Sequence, residues 1–193
     1  ILPYYAGDLG LGLSLVGILF FLGRLTDIVT DPMMGVLIDR FPSKWGKHKH
    51  WILISAPIFM VATYLIFLPP TSNPSSLYFF LSLFLVYLSF TLSSITQLSW
   101  STFLAPDYDD RTRLLTLREL MALLGMFCVI AIPAIVELYD TSLSAKVSAI
   151  GVFVLIVIPL ITINGLYQVP DTKLKKVQSK IENPFKTFKV FFG

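Results

Sequence analysis

The chain has 193 residues, of which 55% are hydrophobic, 14% are aromatic and only 14% are charged. Since a soluble domain carries about 25% charged residues, this chain has too few charges to cover a surface that faces water. Its apolar and aromatic content also excludes intrinsic disorder. The composition therefore predicts an integral membrane protein, whose apolar faces need no shielding from water. The single cysteine, Cys128, excludes an intrachain disulfide.

Five apolar segments are long enough to cross a bilayer, which takes about 20 mostly apolar residues each. They run over residues 12–38, 51–68, 77–104, 114–135 and 147–167. We interpret residues 1–11 as the end of a truncated first helix with its loop, residues 12–170 as five transmembrane helices, and residues 171–193 as a basic linker. The predicted fold class is all-α and integral to the membrane.

The basic residues collect on one side of these segments. Most of the 15 lysine and arginine residues lie near residues 40–50, in 105–113 and in 171–193. Because positive charge is retained on the cytoplasmic side of a membrane, these three stretches are predicted to be cytoplasmic. The net charge of +3 is therefore a topology signal, and we expect no nucleic-acid partner.

Three charged residues, Arg24, Asp27 and Asp31, lie well inside the first full apolar segment. Each costs about 2.5–3.5 kcal/mol near the bilayer centre unless it is paired or faces a water-filled cavity. Asp27 and Asp31 share one helix face because residues four apart are separated by about one turn. Such an acidic pair can hold Na⁺ or a proton. The alternative is a structural Arg24–Asp27 ion pair, which leaves Asp31 without a role.

Further oxygen atoms surround this acidic pair. The hydroxyls of Thr26 and Thr30 lie nearby on the same segment. Pro32 has no backbone N–H, so the carbonyl of Ile28 loses its usual helical donor and becomes a further ligand candidate. The sequence therefore predicts a site of hard oxygen ligands for a cation.

Polar side chains in residues 77–104 recur at the spacing of one helix face: Ser82, Ser89, Ser93 and Gln97. Small hydroxyl residues on membrane helices also serve as close packing contacts. Gln97 and Trp100 suit a sugar, because an amide binds hydroxyls and an indole stacks on the apolar face of a pyranose. Arg118 in the next segment is a candidate substrate anchor, a gate residue paired with an acid, or a side chain that snorkels to the interface.

Three strings resemble one family. DPMMGVLIDRFPSKWGKHKHW (residues 31–51) is similar to the stretch after the second helix of the glycoside–pentoside–hexuronide:cation symporters, the melibiose-permease-like branch of the major facilitator transporters. APDYDDRTRLLTLR (residues 105–118) is similar to their loop between helices four and five, and YYAGDLGL (residues 4–11) to the end of helix one. The resemblance implies the N-terminal six-helix half of a twelve-helix fold, truncated in helix one. The partners it implies are the lipid bilayer, a small-molecule solute and the missing C-terminal half.

The resemblance also implies roles for individual residues. The coupling-cation residues are Asp27, Asp31 and Thr30, with a further hydroxyl from Thr91 or Ser93. Arg118 matches an arginine near the solute, and we group it with Gln97 and Trp100 as the substrate site. The cytoplasmic gate motif comprises Gly35, Asp39 and Arg40. Where the melibiose permease has a sugar-binding Asp, residues 77–106 contain no acid, and Gln97 is the candidate substitute.

The function implied is secondary active symport of a sugar or related small polar solute with Na⁺ or H⁺, by alternating access and without a cofactor, in a bacterial inner membrane. The alternative is transport of a lysophospholipid or another amphipathic solute.

We do not expect an enzyme, because an intramembrane aspartyl protease needs one Asp on each of two facing helices. His48 and His50 lack carboxylate or cysteine partners in their loop, so no transition-metal site is predicted.

Overall fold

The structure is a computed structural model that describes residues 1–41, 46, 48–70 and 74–169. In these residues a short π-helical turn (Tyr4–Asp8) precedes five helices: α1 (Leu13–Arg40), α2 (Lys49–Phe67), α3 (Ser76–Leu104), α4 (Tyr108–Val136) and α5 (Leu143–Gln168). All five are long and apolar enough to cross a membrane. The predicted all-α membrane fold is thus confirmed, while the predicted linker at 171–193 lies outside the described residues.

The start of α4 differs from the prediction. The sequence placed residues 105–113 in a loop, but the structure begins the helix at Tyr108 with Asp107 as its N-cap. Asp109 and Asp110 occupy the first turn, where carboxylates interact favourably with the N-terminal end of the helix dipole. A search for apolar segments misses such a polar first turn. The predicted loop is therefore wrong beyond Asp107, and its basic residues lie on the helix.

Helix α3 is the centre of the described bundle. It packs against α1 and α2, α2 also packs against α5, and α4 contacts α5 and, less extensively, α3. Nine residues of α3 are buried, whereas α4 has no buried residue. Since the exposed faces of these helices are apolar, they are suited to lipid contact. Any site between α3 and its neighbours is consequently held by the best-packed element of the bundle.

Two glycines allow close helix approach. A Cβ built on Gly23 of α1 would lie 2.7 Å from the Tyr87 ring of α3, and one on Gly151 of α5 would collide with Phe67 of α2. Small residues let membrane helices pack at short distance. At Gly23 this contact places α1 directly on α3, one residue before Arg24.

Tyr5 bonds and packs the N-terminal turn against the bundle. The Tyr5 hydroxyl donates to the Ile66 carbonyl of α2 at 2.9 Å, and its ring centroid lies 4.2 Å from that of Phe79 on α3. Tyr5 is fully buried, so burial of its ring adds to the hydrogen bond. The connection from this turn into α1 passes through Gly10 and Gly12, both with positive φ, a conformation that glycine adopts without strain.

Candidate functional site

Asp27 and Asp31 of α1 line one cavity between α1 and α3. This cavity, here the acidic cavity, has a volume of about 450 Å³. Its polar lining side chains are Arg24, Asp27, Asp31, Thr91 and Ser94. The shared helix face of Asp27 and Asp31 thus opens onto hydroxyl groups of α3. Thr30, the third cation residue predicted from the sequence, is not among the described residues that line it.

Arg24 and Asp27 form an ion pair, with 3.0 Å between Arg24 Nη1 and Asp27 Oδ2. The Asp27 side chain is only 13% exposed, whereas that of Arg24 is 73% exposed. Among the described residues, the second oxygen of Asp27, Oδ1, is buried and has no hydrogen-bond partner. A buried acceptor without a partner costs about 1–3 kcal/mol, and more when it is charged. The ion pair therefore satisfies half of the carboxylate and leaves an oxygen that a cation or a proton could engage.

Pro32 leaves one carbonyl oxygen of α1 without its usual helical donor. Pro32 lies inside α1, so the Ile28 carbonyl has no i+4 N–H donor, and Ile28 lines the acidic cavity. The Thr26 hydroxyl, by contrast, donates to the Gly23 carbonyl at 2.6 Å within its own helix. Thr26 is thus engaged by the backbone, and the side-chain oxygens that line the cavity come from Asp27 and Asp31 of α1 and from Thr91 and Ser94 of α3.

The structure places in different cavities the two α3 hydroxyls, Thr91 and Ser93, that the family resemblance leaves open. Thr91 lines the acidic cavity, whereas Ser93 lines a different one. Ser94, which sequence reasoning missed, also lines the acidic cavity. Its position three residues after Thr91 was the available signal, because residues i and i+3 are neighbours on a helix surface.

The three predicted substrate residues meet at a second cavity, here the solute cavity, of about 400 Å³ between α2, α3, α4 and α5. Gln97, Trp100 and Arg118 all line it, and the Gln97 amide donates to Ser93 Oγ at 3.1 Å. Most of the remaining lining is aliphatic or aromatic, with Ser55 of α2, Ser101 of α3 and Thr162 of α5 as further hydroxyls. Sequence reasoning missed the α5 contribution, since no motif on that helix indicates it.

Arg118 connects the two cavities. The side chain is half-buried, and its Nη2 donates to Ser94 Oγ at 3.2 Å. An arginine that turns toward α3 in this way is not snorkelling toward the interface. Arg118 lines the solute cavity while its hydrogen-bond partner Ser94 lines the acidic cavity.

The predicted gate residues lie at the C-terminal end of α1. Asp39 and Arg40 are exposed, and Arg40 occupies the last turn, where a cation interacts favourably with the helix dipole. Gly35 has open space where a Cβ would stand. Most of the loop that follows, at residues 42–45 and 47, lies outside the described residues.

His48 is the N-cap residue of α2 and His50 lies in its first turn, and both bond to protein atoms. His48 Nε2 is 3.1 Å from Ser99 Oγ, and His50 Nδ1 is 2.9 Å from the Gly46 carbonyl. In the part of the chain that the structure describes, no three His, Cys, Asp or Glu side chains come together as a metal site.

The chain belongs to a transporter family. The family model described as MFS/sugar transport protein matches residues 1–190. The chain is 29% identical over 124 residues (63% of this chain, 27% of the relative) to the inner membrane symporter YicJ of Escherichia coli strain K12. It is 26% identical over 193 residues (95% of this chain, 40% of the relative) to the isoprimeverose transporter of Lactiplantibacillus pentosus. It is 25% identical over 125 residues (64% of this chain, 22% of the relative) to the sodium-dependent lysophosphatidylcholine symporter 1 of Gallus gallus.

These matches confirm the predicted resemblance to the melibiose-permease-like branch, whose N-terminal half this chain covers. The chain spans between 22% and 40% of the length of these three relatives. No solved structure gives a significant match. The family is one of transporters rather than enzymes, and its symporters support an integral membrane location for this chain.

Proposed function

We propose that this chain carries the cation site and part of the solute site of a symporter that couples entry of Na⁺ or H⁺ to uptake of a sugar or glycoside. The observation that carries the proposal is the buried Oδ1 of Asp27, which has no hydrogen-bond partner in the part of the chain that the structure describes; the side chain lines the same cavity as Asp31, Thr91 and Ser94. Carboxylate, hydroxyl and carbonyl oxygens are the ligands that hard cations prefer.

Charge balance explains how cation binding drives the cycle. Two carboxylates one turn apart on α1 repel each other, and Arg24 compensates only one negative charge. A cation or proton between them neutralises the second charge and removes the repulsion. Because the cation binds more tightly to the state that closes on solute, it shifts the population toward that state. Movement of this half against a second half then alternates access.

The solute cavity suits a pyranose in size and chemistry. Trp100 offers an indole for the apolar sugar face, and Gln97 and Arg118 offer hydrogen-bond donors. The name of one relative, an isoprimeverose transporter, is consistent with a glycoside as cargo.

A lysophospholipid is the second candidate solute, because the lining of the solute cavity is mostly apolar. Arg118 could pair with a phosphate headgroup, for which the guanidinium fork has a matching geometry. The name of another relative, a lysophosphatidylcholine symporter, is consistent with this cargo.

Uptake by the full transporter polypeptide that contains this chain, reconstituted in liposomes, tests the proposal. Radiolabelled isoprimeverose and lysophosphatidylcholine are supplied in parallel, each with an inward Na⁺ gradient or an inward proton gradient. We expect one probe to accumulate under one gradient, and Asp27→Asn and Asp31→Asn to abolish that accumulation. Asp109→Asn, an acid in the first turn of α4 outside both cavities, is the matched control. Accumulation that survives both α1 substitutions contradicts the site assignment.

A further inference from the structure

Neighbouring serines on α3 serve different cavities. Ser93 lines the solute cavity and accepts from Gln97, whereas Ser94 lines the acidic cavity and accepts from Arg118. Consecutive residues of an α-helix point about 100° apart, so one helix can separate two compartments and present a hydroxyl to each. Helix α3 is therefore the wall between the two cavities.

The Arg118–Ser94 hydrogen bond crosses this wall. Arg118 belongs to the lining of the solute cavity, yet the oxygen to which it donates belongs to the lining of the acidic cavity. A serine oxygen has two acceptor positions, and the guanidinium occupies one of them. The same oxygen is thus within reach of a positive side chain from one cavity and of a cation in the other.

A cation and a guanidinium repel each other when they share one small neutral ligand. In a partly buried site this repulsion is screened much less than in water. The Arg118 guanidinium can move away from Ser94 into the solute cavity, since Arg118 already lines that cavity. A cation in the acidic cavity has fewer alternatives, because Asp27 and Asp31 hold it there.

We propose that Ser94 is a positioning residue for Arg118 and makes Arg118 responsive to the cation. When the acidic cavity is empty, Ser94 holds the guanidinium against α3. When a cation binds and takes the Ser94 oxygen as a ligand, Arg118 leaves and becomes available to the solute. This inference rests on the proposed function and adds the residue that transmits cation occupancy to the solute cavity.

A double-mutant cycle on cation affinity tests this proposal without knowledge of the solute. The full transporter polypeptide in detergent is titrated with NaCl by calorimetry and, in Na⁺-free buffer, with acid. Removal of a competing guanidinium in Arg118→Gln is expected to raise the affinity for the bound cation about fivefold or more, within the usual range of coupling between sites. In the Ser94→Ala background the same change is expected to alter affinity by less than about twofold.

Three further variants make the cycle specific. Ser94→Thr keeps the hydroxyl and should restore the full effect of Arg118→Gln, whereas Ser94→Cys, a poor acceptor of similar size, should behave like Ser94→Ala. Ser89→Ala is the matched control, since Ser89 lies on the same helix, lines neither cavity and donates to the Leu85 carbonyl at 2.6 Å. It should leave the effect of Arg118→Gln intact.

The outcomes separate this inference from the proposed function. An equal effect of Arg118→Gln with and without the Ser94 hydroxyl overturns the positioning role, since Arg118 would then act by charge alone. Absence of cation binding in both titrations, or binding that Asp27→Asn and Asp31→Asn leave unchanged, overturns the proposed function and the inference with it. Loss of binding in those two variants together with a zero coupling energy overturns only the inference.

Discussion

The guanidinium of Arg24 lies 3.0 Å from one oxygen of Asp27, and the other oxygen of the same carboxylate is buried without a hydrogen-bond partner among the described residues. A purely structural ion pair would be expected to satisfy both oxygens, because a buried unsatisfied charge is costly in a membrane. The ion pair is therefore compatible with the proposed cation site: Arg24 offsets one charge on α1, and the second oxygen of Asp27 remains for a ligand.

Replacement of Arg24 should strengthen cation binding and weaken the cation-free protein. In Arg24→Gln the acidic pair loses its counter-charge, and the affinity for the cation should rise about three- to tenfold, as expected for removal of a like charge at a partly wet site. The melting temperature without the cation should fall, and saturating cation should restore it. Thermal unfolding with and without NaCl measures both effects. Arg113→Gln, near the start of α4 and outside both cavities, should change neither.

The Thr91 hydroxyl should contribute to cation affinity. Thr91→Val keeps the shape of the side chain but removes an oxygen from the acidic cavity, so affinity should fall roughly tenfold. Thr91→Ser keeps the oxygen and should bind within a factor of about two of the original chain. Calorimetric titration distinguishes these outcomes, and equal affinities for the valine and serine variants would exclude Thr91 as a ligand.

The close approach of α1 to α3 should limit the size of residue 23. A Cβ on Gly23 would lie 2.7 Å from the Tyr87 ring and 3.3 Å from Leu83, so Gly23→Ala must push the helices apart or displace the ring. Such overpacking typically costs about 1–3 kcal/mol, and separation of the helices would also weaken cation binding. Gly17→Ala, on the same helix with open space around it, is the control. Thermal unfolding should show a lower melting temperature for Gly23→Ala and an unchanged one for Gly17→Ala.

The junction between α4 and α5 should respond to acid. Asp140 accepts a hydrogen bond from the Ser142 backbone N–H at 2.8 Å, and this bond holds the pKa of the carboxyl below its ordinary value of 3.8. Because the folded-state pKa is depressed, the stabilisation is fully present above the ordinary pKa and is lost as the pH falls through the lowered one. Asp140→Asn should therefore remove a small part of the pH dependence of hydrogen exchange at the start of α5. If the pH dependence of hydrogen exchange at the start of α5 is the same with and without Asp140→Asn, Asp140 does not stabilise this junction.

The sequence was sufficient for features that depend on one helix at a time. Apolar length gave the five spans, and the four-residue spacing of Asp27 and Asp31 gave their common face. The polar first turn of α4 was not predicted, because the stretch from Tyr108 to Arg113 is too polar to be found by a search for apolar segments. Its N-cap Asp107 and the two acids after it were the usable signal.

Features that depend on the rotation of one helix against another could not be predicted. The periodicity of α3 shows which of its residues share a face, but not which face meets α1. The family resemblance left Thr91 and Ser93 as alternatives, periodicity could not decide between them, and Ser94 was not identified. The close contact between Gly23 and Tyr87 is part of this packing, and it becomes visible only when both helices are placed.

Direct cation binding to the full transporter polypeptide, without solute, tests the central claim most directly. Equilibrium binding of ²²Na⁺, with proton uptake measured in parallel in Na⁺-free buffer, should show saturable binding of one of the two cations. Asp27→Asn and Asp31→Asn should each abolish that binding, while Asp109→Asn should leave it intact. Saturable binding that persists in both α1 variants would contradict the account, because the cation would then lie outside the acidic cavity.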